Sequence, residues 1–223
     1  MDDLLLPLFP LEVVLLPHEP LPLHIFEERY KDMISHCLEA QGHAAPEDDF
    51  GVVLAREEKM ETVGCAAHLV KVTRRYDDGR LDIVTLGRRR FEILFTNEEK
   101  AYLRAGVEFF DDDSTATPAS PSLAERTIQL FHKAVARLDK NPELPDGFPR
   151  PELSLSFQLA GPLPLDLDFK QQLLENRSES ERLRLLNRGI ERLIRQVDRV
   201  EKARNKAGGN GKLRNLGKAA NEG

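Results

Sequence analysis

Apolar positions alternate with polar ones through the first half of the chain and recur at three- and four-residue spacing through the second. That change of period predicts strands followed by helices. Five prolines (7, 10, 17, 20 and 22) crowd the first 22 residues and remove ladder donors, so the opening reads as short, edge-like strands over 4–9, 13–15 and 21–25. Tyr30, Met33, Ile34, Cys37 and Leu38 then recur at helical spacing, with Gly42 closing the run, which predicts a helix over 27–40. A polar loop over 42–49 precedes four strands, at 50–55, 62–72, 81–86 and 91–96. Asp77-Asp78-Gly79 is a hairpin turn between the second and third of these. A last strand, 101–110, ends at three consecutive aspartates.

Residues 111–121 contain two prolines and no large apolar side chain. Such a segment buries too little to order itself, so it reads as a linker and the domain boundary is placed there. Beyond it the pattern is helical. Ser122 with Glu125 has capping-box spacing and opens a helix to 138. A loop over 139–150, a short helix over 152–160 and a helix over 169–175 follow, and Ser178 with Glu181 opens the longest helix, to 206. Leu183, Leu186, Ile190, Leu193, Val197 and Val200 form an a/d seam on it. Two arrangements suit that seam, pairing with another helix or docking on its own chain. Glycines at 208, 209 and 211 predict a disordered basic tail over 207–223. The fold class is α+β: a β domain over 1–110, a linker over 111–121, a helical domain over 122–206 and the tail.

Composition bounds this picture. The chain has 223 residues, 40% hydrophobic and 31% charged, enough for one large or two small domains with a real core. The net charge of −6 is uneven: residues 191–223 carry nine basic against four acidic side chains, leaving the remainder at −11. Cys37 and Cys65 are the two cysteines, too few for a disulfide framework, so a reducing compartment is expected. The apolar N-terminus begins Asp2-Asp3, lacks a basic region and is broken by prolines, so it does not read as a signal peptide. No stretch approaches a membrane span. A cytoplasmic location without membrane association is expected.

Each stretch that could carry chemistry favours a structural role. Gly208-Gly209-Asn210-Gly211-Lys212 fails the phosphate-loop pattern because Lys206 and Leu213 stand where Gly and Ser or Thr are needed. Cys65 and His68, three apart on a strand, point to opposite faces, and no second ligand pair exists at suitable spacing. No Gly-x-Ser-x-Gly elbow occurs, and Glu27-Glu28 and Asp77-Asp78 fit a helix start and a turn. Lys71, Arg74, Arg75, Arg80 and Arg88-Arg89-Arg90 are interleaved with Asp77, Asp78 and Asp82, which weakens the field a nucleic-acid groove needs. No catalytic residue, metal or cofactor is assigned, and the chain reads as a non-enzyme.

Several stretches resemble the Lon protease N-terminal domain family, also found as stand-alone bacterial proteins. Leu6-Pro7-Leu8-Phe9-Pro10-Leu11 with Val13-Val14-Leu15-Leu16-Pro17 is similar to its first strand and turn, and Pro22-Leu23-His24-Ile25-Phe26-Glu27-Glu28-Arg29-Tyr30 to its most recognisable motif. Gly51-Val52-Val53, Val63-Gly64-Cys65-Ala66-Ala67 and Gly87-Arg88-Arg89-Arg90-Phe91-Glu92-Ile93 match further. In the helical half, Leu163-Pro164-Leu165, Lys170-Gln171-Gln172-Leu173-Leu174-Glu175 and Arg182-Leu183 resemble the family's extension. The resemblance implies a PUA-like β pseudo-barrel followed by a helical bundle, binding unfolded or degron-bearing protein segments. The family's ATPase and Ser/Lys protease signatures have no counterparts in these residues. Candidate peptide-contacting residues chosen from the motifs are Phe9, Leu11, Phe26, Tyr30 and Arg90. Alternatives are an adaptor that assembles with a separate protease, or with itself, through the 178–206 helix, and RNA binding by analogy with PUA-like folds. Gly51, Gly64 and Gly87, inside or beside strands, are expected at bulges or close backbone approaches, and Arg90 is expected to be solvated while Phe91 is core.

Overall fold

Residues 5–39, 49–57, 59–138, 147–150 and 152–213 are described by the structure, a computed structural model, with side chains through 204. Their strands are β1 (Leu6–Leu11), β2 (Pro20–Ile25), β3 (Asp49–Arg56), β4 (Lys59–Met60), β5 (Val63–Arg75), β6 (Leu81–Asn97) and β7 (Arg104–Phe110). The helices are α1 (Glu28–Glu39), α2 (Pro121–Arg137), α3 (Leu155–Ala160), α4 (Leu167–Glu175) and α5 (Glu179–Leu213). The order β1-β7-β6-β5-β3-β4 is closed by a parallel pairing of β1 with β3, from Leu8↔Gly51 to Leu11↔Leu54. Five strands therefore form a ring, and β2 is added outside it along β6.

The ring interior is small. Leu6, Leu8, Val53, Ala66, Phe91 and Ala105 form a buried cluster contributed by all five ring strands. Phe91 is its largest side chain and fully buried. A Cβ at Gly51 or at Gly64 would lie 2.6 Å from the edge of its ring, so these two positions are glycines because the phenyl group occupies their side-chain space. The other faces of the same strands bury Phe9, Phe50, Val52, Leu54, Cys65 and Ile83 against Met33 and Ile34 of α1. That cluster continues into Phe131, Phe157, Leu174 and Ile190 of the helical half.

Prolines 7 and 10 sit inside the ring rather than at an edge, and strand geometry explains why. The Leu8 N–H points to the β7 side, donating to Leu103 O at 2.8 Å, so Pro10 faces that side too, beyond the last β7 partner. Pro7 faces β3, one residue before their pairing starts. Neither proline interrupts a ladder bond.

Other expectations shift. Residues 13–15 are not a strand: Val14, Leu15 and Leu16 are buried in the connection after β1, and its turn is held against β6 by His18 N–H to Gly87 O (2.8 Å) and Gly87 N–H to Glu19 O (3.0 Å). A Cβ at Gly87 would stand 2.2 Å from the Leu16 carbonyl oxygen. The two strands expected at 81–86 and 91–96 are one, β6, which exchanges β2 for β7 as partner across Gly87-Arg88-Arg89. Ser120, not Ser122, caps α2, accepting from the Leu123 N–H at 3.3 Å, with Pro121 pre-setting the first turn. Ser178 does accept from the Glu181 N–H, at 3.4 Å. The hairpin turn forms with Gly79 at φ +81. In α5 the seam residues Leu183, Leu186 and Ile190 are fully buried in the chain's own core, the docked arrangement. The helix runs through Gly208 and Gly209 to Leu213, because propagation of an existing helix needs no new nucleus. Of the tail predicted over 207–223, residues 207–213 are helical and 214–223 lie outside the described residues, as do most of the 42–49 loop and most of the 139–150 loop.

Candidate functional site

Strand β2 pairs with the first half of β6 through Pro20↔Leu86, Leu21↔Thr85, Pro22↔Val84, Leu23↔Ile83, His24↔Asp82 and Ile25↔Leu81. Directly opposed residues share a face. Leu21, Leu23 and Ile25 turn toward the core with Thr85, Ile83 and Leu81. The other face carries exposed Pro20, Pro22 and His24 beside half-buried Leu86, Val84 and Asp82. Phe26 follows β2 with 59% of its surface open, its ring stacked on His24 at 6.0 Å.

Polar groups at one end fix this apolar surface. His24 Nδ1 lies 2.6 Å from Asp82 Oδ1, and the Tyr76 hydroxyl donates to Asp82 Oδ2 at 2.9 Å. The His24 and Tyr76 hydrogen bonds hold the Asp82 carboxyl below the usual carboxylate range. Tyr76 meets the His24 ring edge-on at 5.7 Å and carries Arg74 and Arg80 over its faces at 4.5 and 4.9 Å. The result is a wet-rimmed apolar strip of Pro20, Pro22, Phe26, Val84 and Leu86, suited to an extended apolar segment. With prolines on its edge strand, contact would come from the face more than from strand addition.

Of the five residues chosen from sequence, Phe26 alone is on this strip. Phe9 and Tyr30 are core residues, their ring centroids 4.1 Å apart, and Leu11 is half-buried against the same cluster. Arg90, expected to be solvated, is buried at the junction with the helical half. Its Nη1 donates to Leu174 O (3.1 Å) and Asn176 O (2.7 Å) and its Nη2 to Asp112 Oδ1 (2.6 Å). Pro20, Pro22, Val84 and Leu86 were missed. The signal was present: apart from His24, Asp82 and Thr85, residues 20–25 and 81–86 are apolar at both alternating sets of positions, where a strand solvated on one face would alternate. Cys65 and His68 do not converge: the buried thiol is pushed up by desolvation, and His68 Nδ1 lies 3.0 Å from Asp49 Oδ1.

The junction holding β6 to the helices is a buried ionic knot. Arg182, fully buried, donates from Nε to Ser156 Oγ (2.8 Å), from Nη1 to Asp112 Oδ1 (2.5 Å) and Asn176 O (2.7 Å), and from Nη2 to Asp112 Oδ2 (2.6 Å) and Glu179 Oε2 (2.6 Å). Two cations, Arg90 and Arg182, thus meet two anions, Asp112 and Glu179. The Phe157 ring lies 4.3 Å from the Arg182 guanidinium and 5.3 Å from that of Arg90. Burial alone would push the Asp112 carboxyl up, but the Arg182 hydrogen bonds and the charges of Arg182 and Arg90 outweigh it and hold it low. A carboxyl depressed in the folded state stabilises above its unfolded pKa, about 3.9, and loses that contribution as pH falls through the lower folded value. The urea midpoint should therefore drop between about pH 5 and pH 3, and the drop should shrink in Asp112→Asn, which has no such proton to take up.

With the ring, the strip and the junction in view, the protein class is defined: a closed β sheet carrying an apolar outer strip and backed by helices, the fold of Lon N-terminal domains. The family model of the ATP-dependent protease La (LON) substrate-binding domain matches residues 5–192, and the chain belongs to that family. The crystal structure of a Lon N-terminal domain protein from Xanthomonas campestris superposes with a TM-score of 0.61 at 24% identity, covering 82% of this chain and 96% of that one. The N-terminal domain of Lon protease from Mycobacterium avium complex gives 0.62 at 20% identity, covering 84% and 98%. Lon protease 2 of Herpetosiphon aurantiacus is 26% identical over 191 residues, 82% of this chain but 23% of that protein. The chain thus spans about a quarter of that relative's length. Among the described residues no helix is long and apolar enough to cross a membrane.

Proposed function

We propose that the chain is a non-catalytic module that binds exposed apolar segments of unfolded or degron-bearing proteins along the Pro20–Pro22–Phe26–Val84–Leu86 strip. It would act in the cytoplasm, without a cofactor. The observation that carries this reading is the outer face of β2 and β6, apolar where a solvated sheet face would be polar. Membership in a family described as substrate-binding supports it. A labelled, reduced and unfolded protein is expected to bind, and its folded form is not. Phe26→Asp together with Val84→Asp should weaken binding about tenfold, the scale of losing a central aromatic anchor. Equal binding of folded and unfolded forms, or an unaffected double variant, would overturn the reading.

A second reading, assembly with a separate protease or a second copy through α5, is favoured by one observation. Past the Arg137–Asp198 bond to α2, Val200 is 62% exposed on the continuing helix. Light scattering on the full chain and on Val200→Asp separates the two: a monomer in both removes self-assembly.

A further inference from the structure

The outer face of β2 and β6 continues onto β5. There Leu69 pairs with Thr85 and Lys71 with Val84, so Val70 is an extra residue in the ladder, and Thr73 is a second, between Val72↔Ile83 and Arg74↔Asp82. Leu69 is buried and Val72 half-buried, both packed on the core. Each bulge therefore turns two consecutive side chains outward where regular alternation would turn one: Val70 with Lys71 beside Val84, and Thr73 with Arg74 beside Asp82. All four are exposed, Val70 at 52%. The outer face is thus three strands wide, in rows Pro20–Leu86–His68, Pro22–Val84–Lys71 and His24–Asp82–Arg74. Its two long borders differ: prolines on β2, cations with Val70 on β5. Arg74 is engaged, its guanidinium over the Tyr76 ring at 4.5 Å and its position opposite Asp82. Lys71 has no hydrogen bond or ion pair among the described residues, and the residue opposite it is the apolar Val84. An unpaired ammonium therefore stands at mid-strip against apolar surface.

Building on the reading of the strip as a binder of apolar protein segments, we propose that the β5 border is a charge filter and Lys71 its specificity residue. Among apolar segments, the strip favours those that carry an acidic side chain beside the apolar run and disfavours those that carry a basic one. Apolar groups seat on Val84, Leu86 and Val70 while the carboxylate meets the Lys71 ammonium; a basic side chain at that place meets Lys71 and Arg74 instead, a repulsive element of the kind that makes interfaces specific. Charge and apolar surface select together. A free anion gains the ammonium but none of the apolar contact. A nucleic-acid backbone or an anionic lipid surface carries charge along the whole strip and meets the Asp82 carboxylate one row away. A polypeptide places one carboxylate at mid-strip with apolar groups on either side. With strands about 4.8 Å apart, the three-strand face is roughly 10 Å across, the width of one extended chain with its side chains.

Fluorescence anisotropy on the full chain tests this with labelled peptides that share one alternating Leu and Ser run and differ at a central residue, Glu, Gln or Lys. The Glu peptide is expected to bind about threefold tighter than the Gln peptide and the Lys peptide about threefold weaker, the scale of one partly solvated ion pair. Lys71→Glu should invert that order, which neither a loss of fold nor a loss of apolar surface can do. Val70→Ser should weaken all three peptides alike and keep the order. Between about 50 mM and 500 mM sodium chloride the differences should shrink while the Gln peptide holds its affinity. Equal binding of the three peptides, or an order that survives Lys71→Glu, would overturn the proposal. So would displacement of the Glu peptide by inorganic phosphate well beyond that by sodium chloride at matched ionic strength, or tighter binding of a single-stranded oligonucleotide. If no peptide binds, the strip reading falls and the filter with it. If the three bind alike and the Phe26→Asp, Val84→Asp chain loses them all, the strip stands and the filter alone falls.

Discussion

Arg182→Met should destabilise the fold by about 3–5 kcal/mol, the scale of breaking a buried ion pair from one side. The side chain is fully buried with all its donors engaged. Its removal leaves the Asp112 and Glu179 carboxylates with Arg90 as their remaining buried cation, and Ser156 and the Asn176 carbonyl each lose a donor. Methionine replaces much of the volume, so the loss reports on charge and hydrogen bonding more than on a void. Lysine is not expected to rescue, since one ammonium cannot reproduce a planar fork aimed at six acceptors, Ser154 Oγ at 3.1 Å among them. Urea denaturation checks the magnitude. Limited proteolysis checks the location, because Asp112 and Glu179 tie the start of the 111–120 segment and the first turn of α5 to the same guanidinium. A change below about 1 kcal/mol would mean that the knot is replaceable by packing, as some buried ion triads are.

How much of this was legible depends on the range of the interactions concerned. The helices at 28–39 and 179–206, the Asp77-Asp78-Gly79 turn and the division into strands then helices follow from spacing and turn chemistry, which act within a few residues, whereas the helical turns at 207–213 run against the local glycines. The closure of the ring does not: the parallel pairing of Leu8 with Gly51 joins strands with no local connection to advertise it. The continuity of β6 was hidden for a related reason. Gly87-Arg88-Arg89-Arg90 looks like a break between two apolar runs, yet the strand is changing neighbours there, and Gly87 is small so that the Leu16 carbonyl can approach. Arg90 reads as a solvated charge because its partner, Asp112, lies 22 residues away in sequence, and the same aspartate reaches Arg182 across 70. At the candidate site, Phe26 was found through a motif, while its companions needed the register that places Pro22 opposite Val84.

Phe91→Ala should cost about 3–5 kcal/mol, as large as the loss at Arg182 but for an opposite reason. Here no polar group is orphaned; the ring interior is simply emptied. Relaxation could refill the space only if neighbours had atoms to move into it; the buried ones are Gly51, Gly64, Ala66 and Ala105, with Leu6, Leu8 and Val53 already packed, and the Phe109 ring, edge-on at 6.2 Å, is held in β7 opposite Phe91. A closed ring resists collapse as well, because each strand is held on both sides by ladder bonds. The cavity should therefore persist, placing the substitution at the costly end of large-to-small changes. Phe91→Leu, which keeps most of the volume, should cost distinctly less. Filling from the other side is not expected to help: Gly64→Ala in the wild-type background places a methyl 2.6 Å from both the Phe91 ring edge and the Val52 carbonyl oxygen, whereas in Phe91→Ala the ring clash is gone and the backbone clash remains. A thermodynamic cycle over Phe91→Ala and Gly64→Ala measures that difference directly. Below its melting range the Phe91→Ala protein should still capture unfolded protein, because the strip lies on the β2 half of β6 and the emptied space on the β7 half. Loss of capture in a folded Phe91→Ala chain would instead show that the ring interior sets the shape of the strip.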